Sequence, residues 1–126
     1  MVSSPLSSDD RSNCLDRERL DCLYGDDTET FQSTIEMFLE EVTPVFLELP
    51  TQIESQNWET FTLLTHQLRP LLGLVGLTTL EKELLAMEEK AKTEPDTEFL
   101  RNSYHHFNAG LERMIPLLNA ELQRLE

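Results

Sequence analysis

The sequence predicts an all-α protein, and three observations predict it. Apolar residues recur at threes and fours over long stretches, no run alternates apolar with polar, and the 126 residues include only four glycines. That length suits one domain with a single core, and 39 % apolar residues is too many for a disordered chain.

Residues 1–13 are rich in Ser and Asp without periodicity, so they are expected to form a flexible tail, with 14–126 as the folded domain. A short helix is expected over Leu15 to Tyr24, stopped by Gly25. Asp27 or Thr28 then caps a long helix whose stripe is Phe31, Ile35, Phe38, Val42, Phe46, Leu49 and Ile53. Pro44 and Pro50 fall inside it, and each costs about 3 kcal/mol in an isolated helix. Because the apolar phase runs through both, the expectation is one bent helix, with two shorter helices as the alternative. Asn57 caps the next helix, whose stripe of Phe61, Leu64, Thr65, Leu68, Leu72 and Val75 runs to near Gly76. Thr78 and Glu81 spell a capping box for a helix with Leu77, Leu80, Leu84, Met87 and Ala91 on one face and Lys90 and Lys92 at its end. Asp96 caps a last helix bearing Tyr104, Phe107, Leu111, Met114, Leu118, Leu122 and Leu125, with a bend expected at Pro116. Four long amphipathic helices on short connections must alternate in direction. The expected architecture is therefore an up-down-up-down antiparallel four-helix bundle with the short first helix laid across one end.

Ten basic against twenty-four acidic residues give a formal charge of -14, which repels a phosphate backbone and excludes nucleic acid and anionic membranes as partners. No stretch approaches the ~20 apolar residues of a membrane span, and the Ser-rich start has no apolar signal core, so a cytoplasmic protein is expected. Cys14 and Cys22 lie about 12 Å apart if helical, too far for a disulfide, and are expected to be packing residues in a reducing compartment.

His66 is the residue that the helical pattern leaves out. At about 100° per residue it points about 140° from the centre of its helix's apolar stripe, alongside Thr62, Arg69 and Gly73, which places the imidazole in water. An imidazole nitrogen in water can act as a nucleophile near neutral pH without a helper base. Positions three and four residues either side of His66 hold no carboxylate, which suits a carrier better than a hydrolase. Arg69, about 60° round the helix, can reach an anionic group at His66, and Thr62 shares that face one turn back. Leu63 and Leu74 flank it, with Leu71 nearer the core edge, as an apolar patch for a partner protein.

No Walker A loop or dinucleotide fingerprint is present, so neither nucleotide binding nor a cofactor is expected. Di-metal bundles need Glu-x-x-His on two helices, whereas Leu63, Asn102 and Ser103 precede the three histidines by three, so no metal is expected either. His105 and His106 diverge by about 100° and cannot chelate jointly from a helix.

The run His66-Gln67-Leu68-Arg69, with the small residue Gly76 ten positions after the His, resembles the signature of the histidine-containing phosphotransfer (HPt) domain. Leu20-Asp21-Cys22-Leu23-Tyr24-Gly25-Asp26-Asp27 and Phe38-Leu39-Glu40-Glu41 are similar to that family's entry helix and first long helix. Asn57-Trp58-Glu59 is similar to the turn that opens its His-bearing helix, so the resemblance covers about residues 14 to 125.

The resemblance implies a monomeric phosphorelay carrier, not an enzyme. His66 would be the phosphoacceptor and Arg69 the phosphate-stabilising group, with Thr62, Leu63, Pro70, Gly73 and Leu74 on the docking face. The implied partners are response-regulator receiver domains, which bring a phosphorylated Asp and their own Mg²⁺, and a hybrid histidine kinase. Pro70 departs from the family, which most often has Gly four residues after the His. Pro70 has no N–H to bond the His66 carbonyl, although it is too compact to reach over the ring. The alternative is a phosphotransfer-impaired module that docks receivers or acts only in assembly.

Overall fold

In the computed structural model, which describes residues 14–126, every regular element is helical. The tail expected over residues 1–13 lies outside the described residues. The first helix, α1 (Arg17–Tyr24), starts where the Asp16 carboxylate accepts from the Arg19 N–H, and it ends at Gly25, whose φ of 54° suits glycine. Leu15 and Leu20 are buried beneath it. Cys14 and Cys22, expected to pack, are instead exposed free thiols. Cys22 lies about 200° round the helix from Leu20, which is the side that faces water.

Asp27 caps α2 (Thr28–Met37) through both the N–H and the hydroxyl of Thr30. The helix then widens into a π-helical turn over Phe38–Val42, in which the Thr43 N–H reaches back five residues to the Phe38 carbonyl. Two short helices follow, α3 (Thr43–Phe46) and α4 (Leu49–Glu54), each with its proline in the first turn, where a missing N–H is harmless. The expected single bent helix is thus interrupted twice. Its stripe survives, because Phe31, Ile35, Phe38, Val42, Phe46, Leu49 and Ile53 are all buried. Pro50 also removes the N–H that would have served the Phe46 carbonyl. The buried Tyr104 hydroxyl takes that role from the last helix, donating at 3.0 Å.

Asn57 caps α5 (Trp58–Leu74) by accepting the Thr60 N–H, and the helix continues across Pro70. Its end closes with the Leu77 N–H on the Leu72 carbonyl around Gly76. Gly76 has φ 79°, and a Cβ there would stand 3.0 Å from the Leu20 side chain. In α6 (Thr78–Thr93) the expected capping box does not form. Leu77 occupies the cap position, the Thr78 hydroxyl donates to Asp16, and Glu81 pairs with Arg19. The stronger acceptors and donors of the chain crossing at Asp16 and Arg19 win over the local pairing. Last comes α7 (Thr97–Leu125), capped by Asp96 and continuous through Pro116.

Packing follows the stripes. α5 lies along α6, α6 along α7, and α4 against both α5 and α7, while α2 rests on α7 and α1 bridges α2 and α5. The Phe46 and Phe107 rings meet at 5.5 Å in the shared core. Arg17 reaches from α1 to grip Glu121 of α7 with two hydrogen bonds. Among the described residues no helix is long and apolar enough to cross a membrane.

Candidate functional site around His66

The core stripe of α5 turns Phe61, Thr65, Leu68 and Leu72 inward, and that phase leaves His66 on the outside with a side chain 66 % exposed. The helix next to it completes the environment. Glu88 of α6 has a side chain only 2 % exposed, yet it sends one carboxylate oxygen to within 3.4 Å of His66 Nδ1. The other oxygen accepts from Arg69 Nε at 3.2 Å, and Lys92 Nζ lies 2.9 Å from the first. Arg69 Nη2 is also 3.2 Å from His66 Nδ1. One carboxylate therefore organises an imidazole, a guanidinium and an ammonium, all at the seam between α5 and α6.

Electrostatics keep that carboxylate ionised. Burial pushes Glu88 up, but the Lys92 hydrogen bond and the charges of Arg69 and Lys92 outweigh it, holding the group below the ordinary carboxylate range. An ionised Glu88 can only accept, so it favours a proton on His66 Nδ1. Arg69 Nη2 can only donate, so it favours a bare Nδ1. The two arrangements exclude each other at one nitrogen. Nε2 has no partner among the described residues, and the side chain's exposure leaves it open to an incoming group.

Glu59, Thr62, Leu63, Glu88 and Lys92 line a shallow open depression beside the ring. Thr62 lies there as expected, with its hydroxyl already donating to the Glu59 carbonyl. Leu63 is 56 % exposed, an apolar side chain in water at the edge of the site, and Pro70 is exposed as well. Gly73 and Leu74 are placed differently. Gly73 is buried, and a Cβ on it would stand 2.5 Å from Arg19 Nη1. Leu74 is half-buried, and its carbonyl accepts from the Tyr24 hydroxyl at 2.7 Å. Both belong to the junction with α1. Leu71 is half-buried against the core.

The chain matches no protein-family model, no curated protein and no solved structure.

Sequence reading along α5 reached His66 and Arg69 but missed Glu88 and Lys92, which come from α6. A signal was present. Glu88 lies four residues after Leu84 and three before Ala91, a spacing that belongs to the buried face, and Lys92 follows at i+4. A carboxylate on an apolar stripe is costly unless it is paired, so its partners had to be close by. Among the described residues no group of three or more His, Cys, Asp or Glu is arranged to hold a metal.

Proposed function

We propose that the chain is a histidine phosphotransfer protein, relaying a phosphoryl group between receiver-domain aspartates through His66. The observation that carries the reading is the exposed imidazole whose Nδ1 is flanked by Glu88 and Arg69, while Nε2 has no partner among the described residues. In the forward step the Nε2 lone pair attacks phosphorus. The bond from phosphorus to the aspartyl oxygen breaks, its electron pair returning to the carboxylate, and the second receiver reverses the exchange. Arg69 and Lys92 supply positive charge beside the developing phosphoryl oxygens, and a shared carboxylate holds both in reach. The same reading takes the helices as an up-down-up-down four-helix bundle with α1 across one end. It makes the chain a cytoplasmic monomer that carries phosphate without turning over a small molecule. Leu63, Pro70 and the rim of the depression form the surface on which receivers dock, and a hybrid kinase stands upstream.

Pro70 favours a second reading, a module that binds receivers without transfer, because the His66 carbonyl has no N–H from position 70 to accept. One experiment separates the two. The chain is incubated with phosphorylated receiver domains and assayed for an acid-labile, base-stable phosphate. Transfer predicts label in the wild type and none in His66→Gln, whereas label retained in His66→Gln overturns the assignment. Receiver binding without label in either chain establishes the docking module.

A further inference from the structure

A slot between α6 and α7, on the side away from His66, plays no part in the phosphotransfer reading. On α6, Glu83, Met87 and Lys90 follow one another at steps of four and three residues, and on α7 Phe99, Ser103 and His106 do the same. Each wall is therefore two helical turns, about 10 Å long. The two runs meet in opposite order: Glu83 faces His106 at one end, and Lys90 lies over the Phe99 ring at the other. Between the ends the lining is mostly apolar, with the small residue Ala86 beside buried Met87, and the enclosed space of about 540 Å³ is of the size that takes a small molecule. Glu88 and Lys92 lie about 170° round α6 from this wall, so the slot is separate from the His66 site.

The acidic end lacks a donor. Glu83 Oε1 is out of contact with water and has no hydrogen-bond partner among the described residues. The other oxygen of the same carboxylate is 3.6 Å from His106 Nε2, too long for a hydrogen bond. A carboxylate in that state costs free energy that an incoming donor recovers, a charged donor most of all. The terminal carboxylate torsion of a glutamate is soft, so Oε1 can turn toward the slot without disturbing α6. The cation on the same wall does not serve it. Lys90 is held at the far end, with its ammonium 3.1 Å from Glu94 and 5.0 Å from the centre of the Phe99 ring. Phe99 is itself 51 % exposed, which leaves an aromatic surface in water at that end.

We propose that this slot binds a small organic ammonium compound, with its charged amine on Glu83 and its apolar or aromatic body lying over Ala86 and Met87 toward Phe99. Charge selects the occupant. An acidic end with an orphaned oxygen, on a chain of net charge -14, attracts a cation and repels a carboxylate. The apolar floor disfavours a bare metal ion or a polyamine, since either would strand charge over Met87. A single amine at one end of an apolar body meets both demands.

The test titrates the full chain at pH 8, where alkylamines are charged and imidazoles ordinarily neutral, with 4-phenylbutylamine, its alcohol analogue 4-phenylbutan-1-ol and the acid 4-phenylbutyrate, followed by ¹H–¹⁵N NMR. The expected result is saturable shifts at the backbone of Ala86, Met87 and Ser103, with the amine bound about tenfold more tightly than the alcohol and the acid more weakly than either. Glu83→Gln should bring the amine and the alcohol to within about twofold of each other. Ala86→Leu, at an exposed position that leaves the core intact, should fill the slot and weaken both about tenfold. An amine that binds the wild type no more tightly than the alcohol overturns the proposal without recourse to any variant, and so do shifts confined to residues outside the slot. Self-association that is lost in Phe99→Ala assigns the slot to a second copy of the chain and overturns it as well, whereas sedimentation as a monomer together with selective amine binding supports it.

Discussion

Replacing Glu121 by Gln should make the chain less stable at neutral pH and flatten its acid unfolding. Glu121 lies on α7 with a side chain 4 % exposed, gripped by both guanidinium nitrogens of Arg17 from α1 and by Arg124 one turn on. The Arg17 hydrogen bonds lower its pKa and burial raises it, and with Arg124 added the balance falls from the ordinary 4.5 to about 2. Because the folded value lies below the unfolded one, the stabilisation is fully present above about pH 4.5. It is lost as pH falls from there through about 2. The full difference corresponds to about 3 kcal/mol. Both arginines are more than half exposed, so solvent screening reduces this to about 2 kcal/mol. Urea unfolding from pH 7 to pH 2 in wild type and Glu121→Gln reads this directly. The variant should be about 2 kcal/mol weaker at pH 7, and the two curves should converge toward pH 2. The difference between the chains is the informative quantity, since Asp27, Glu54 and Glu88 are also held low and titrate in both. A gap of constant size across the range refutes the electrostatic account, and a gap below about 0.5 kcal/mol at pH 7 refutes the clasp.

Two further predictions concern the backbone. Tyr104→Phe should cost about 1–3 kcal/mol in urea, since it orphans the buried Phe46 carbonyl, and adding Pro50→Ala, which returns an N–H at that position, should recover part of the loss. Gly76→Ala should lower stability by about 1–2 kcal/mol, because φ 79° and the Leu20 side chain both oppose a Cβ. Gly73→Ala should stay within about 0.5 kcal/mol, since the groups that must give way are the flexible ends of Arg19 and Glu81, and equal melting losses for the two glycines would contradict this reading.

What the sequence revealed and what it hid divide along one physical line, between interactions made within a helix and those made across helices. The caps at Asp27, Asn57 and Asp96, the buried stripes and the outward phase of His66 each depend on residues three or four apart, so periodicity found them. Thr78 and Glu81 had the right spacing for a cap and still failed, because Asp16 and Arg19, 62 residues away, offer better partners. Glu88 was hidden for the same reason: its meaning lies in His66 and Arg69 on another helix.

The prolines make the point most fully. Each of Pro44, Pro50 and Pro70 deprives a carbonyl one turn earlier of its usual donor, and the chain answers each one differently. At Pro44 the helix widens into the π-helical turn, where the missing donor is that of the Leu39 carbonyl five residues back, and the Thr43 hydroxyl donates to it at 2.7 Å. At Pro50 the orphan is the Phe46 carbonyl, deep in the core, where only a side chain from α7 can reach it, and Tyr104 does. At Pro70 the helix runs on, and the residue left without its N–H partner is His66 itself, on a face open to water. A proline in a sequence states the cost. Where the orphaned carbonyl lies in the fold decides whether it is absorbed locally, met by a distant residue, or left on a face open to water beside an exposed imidazole.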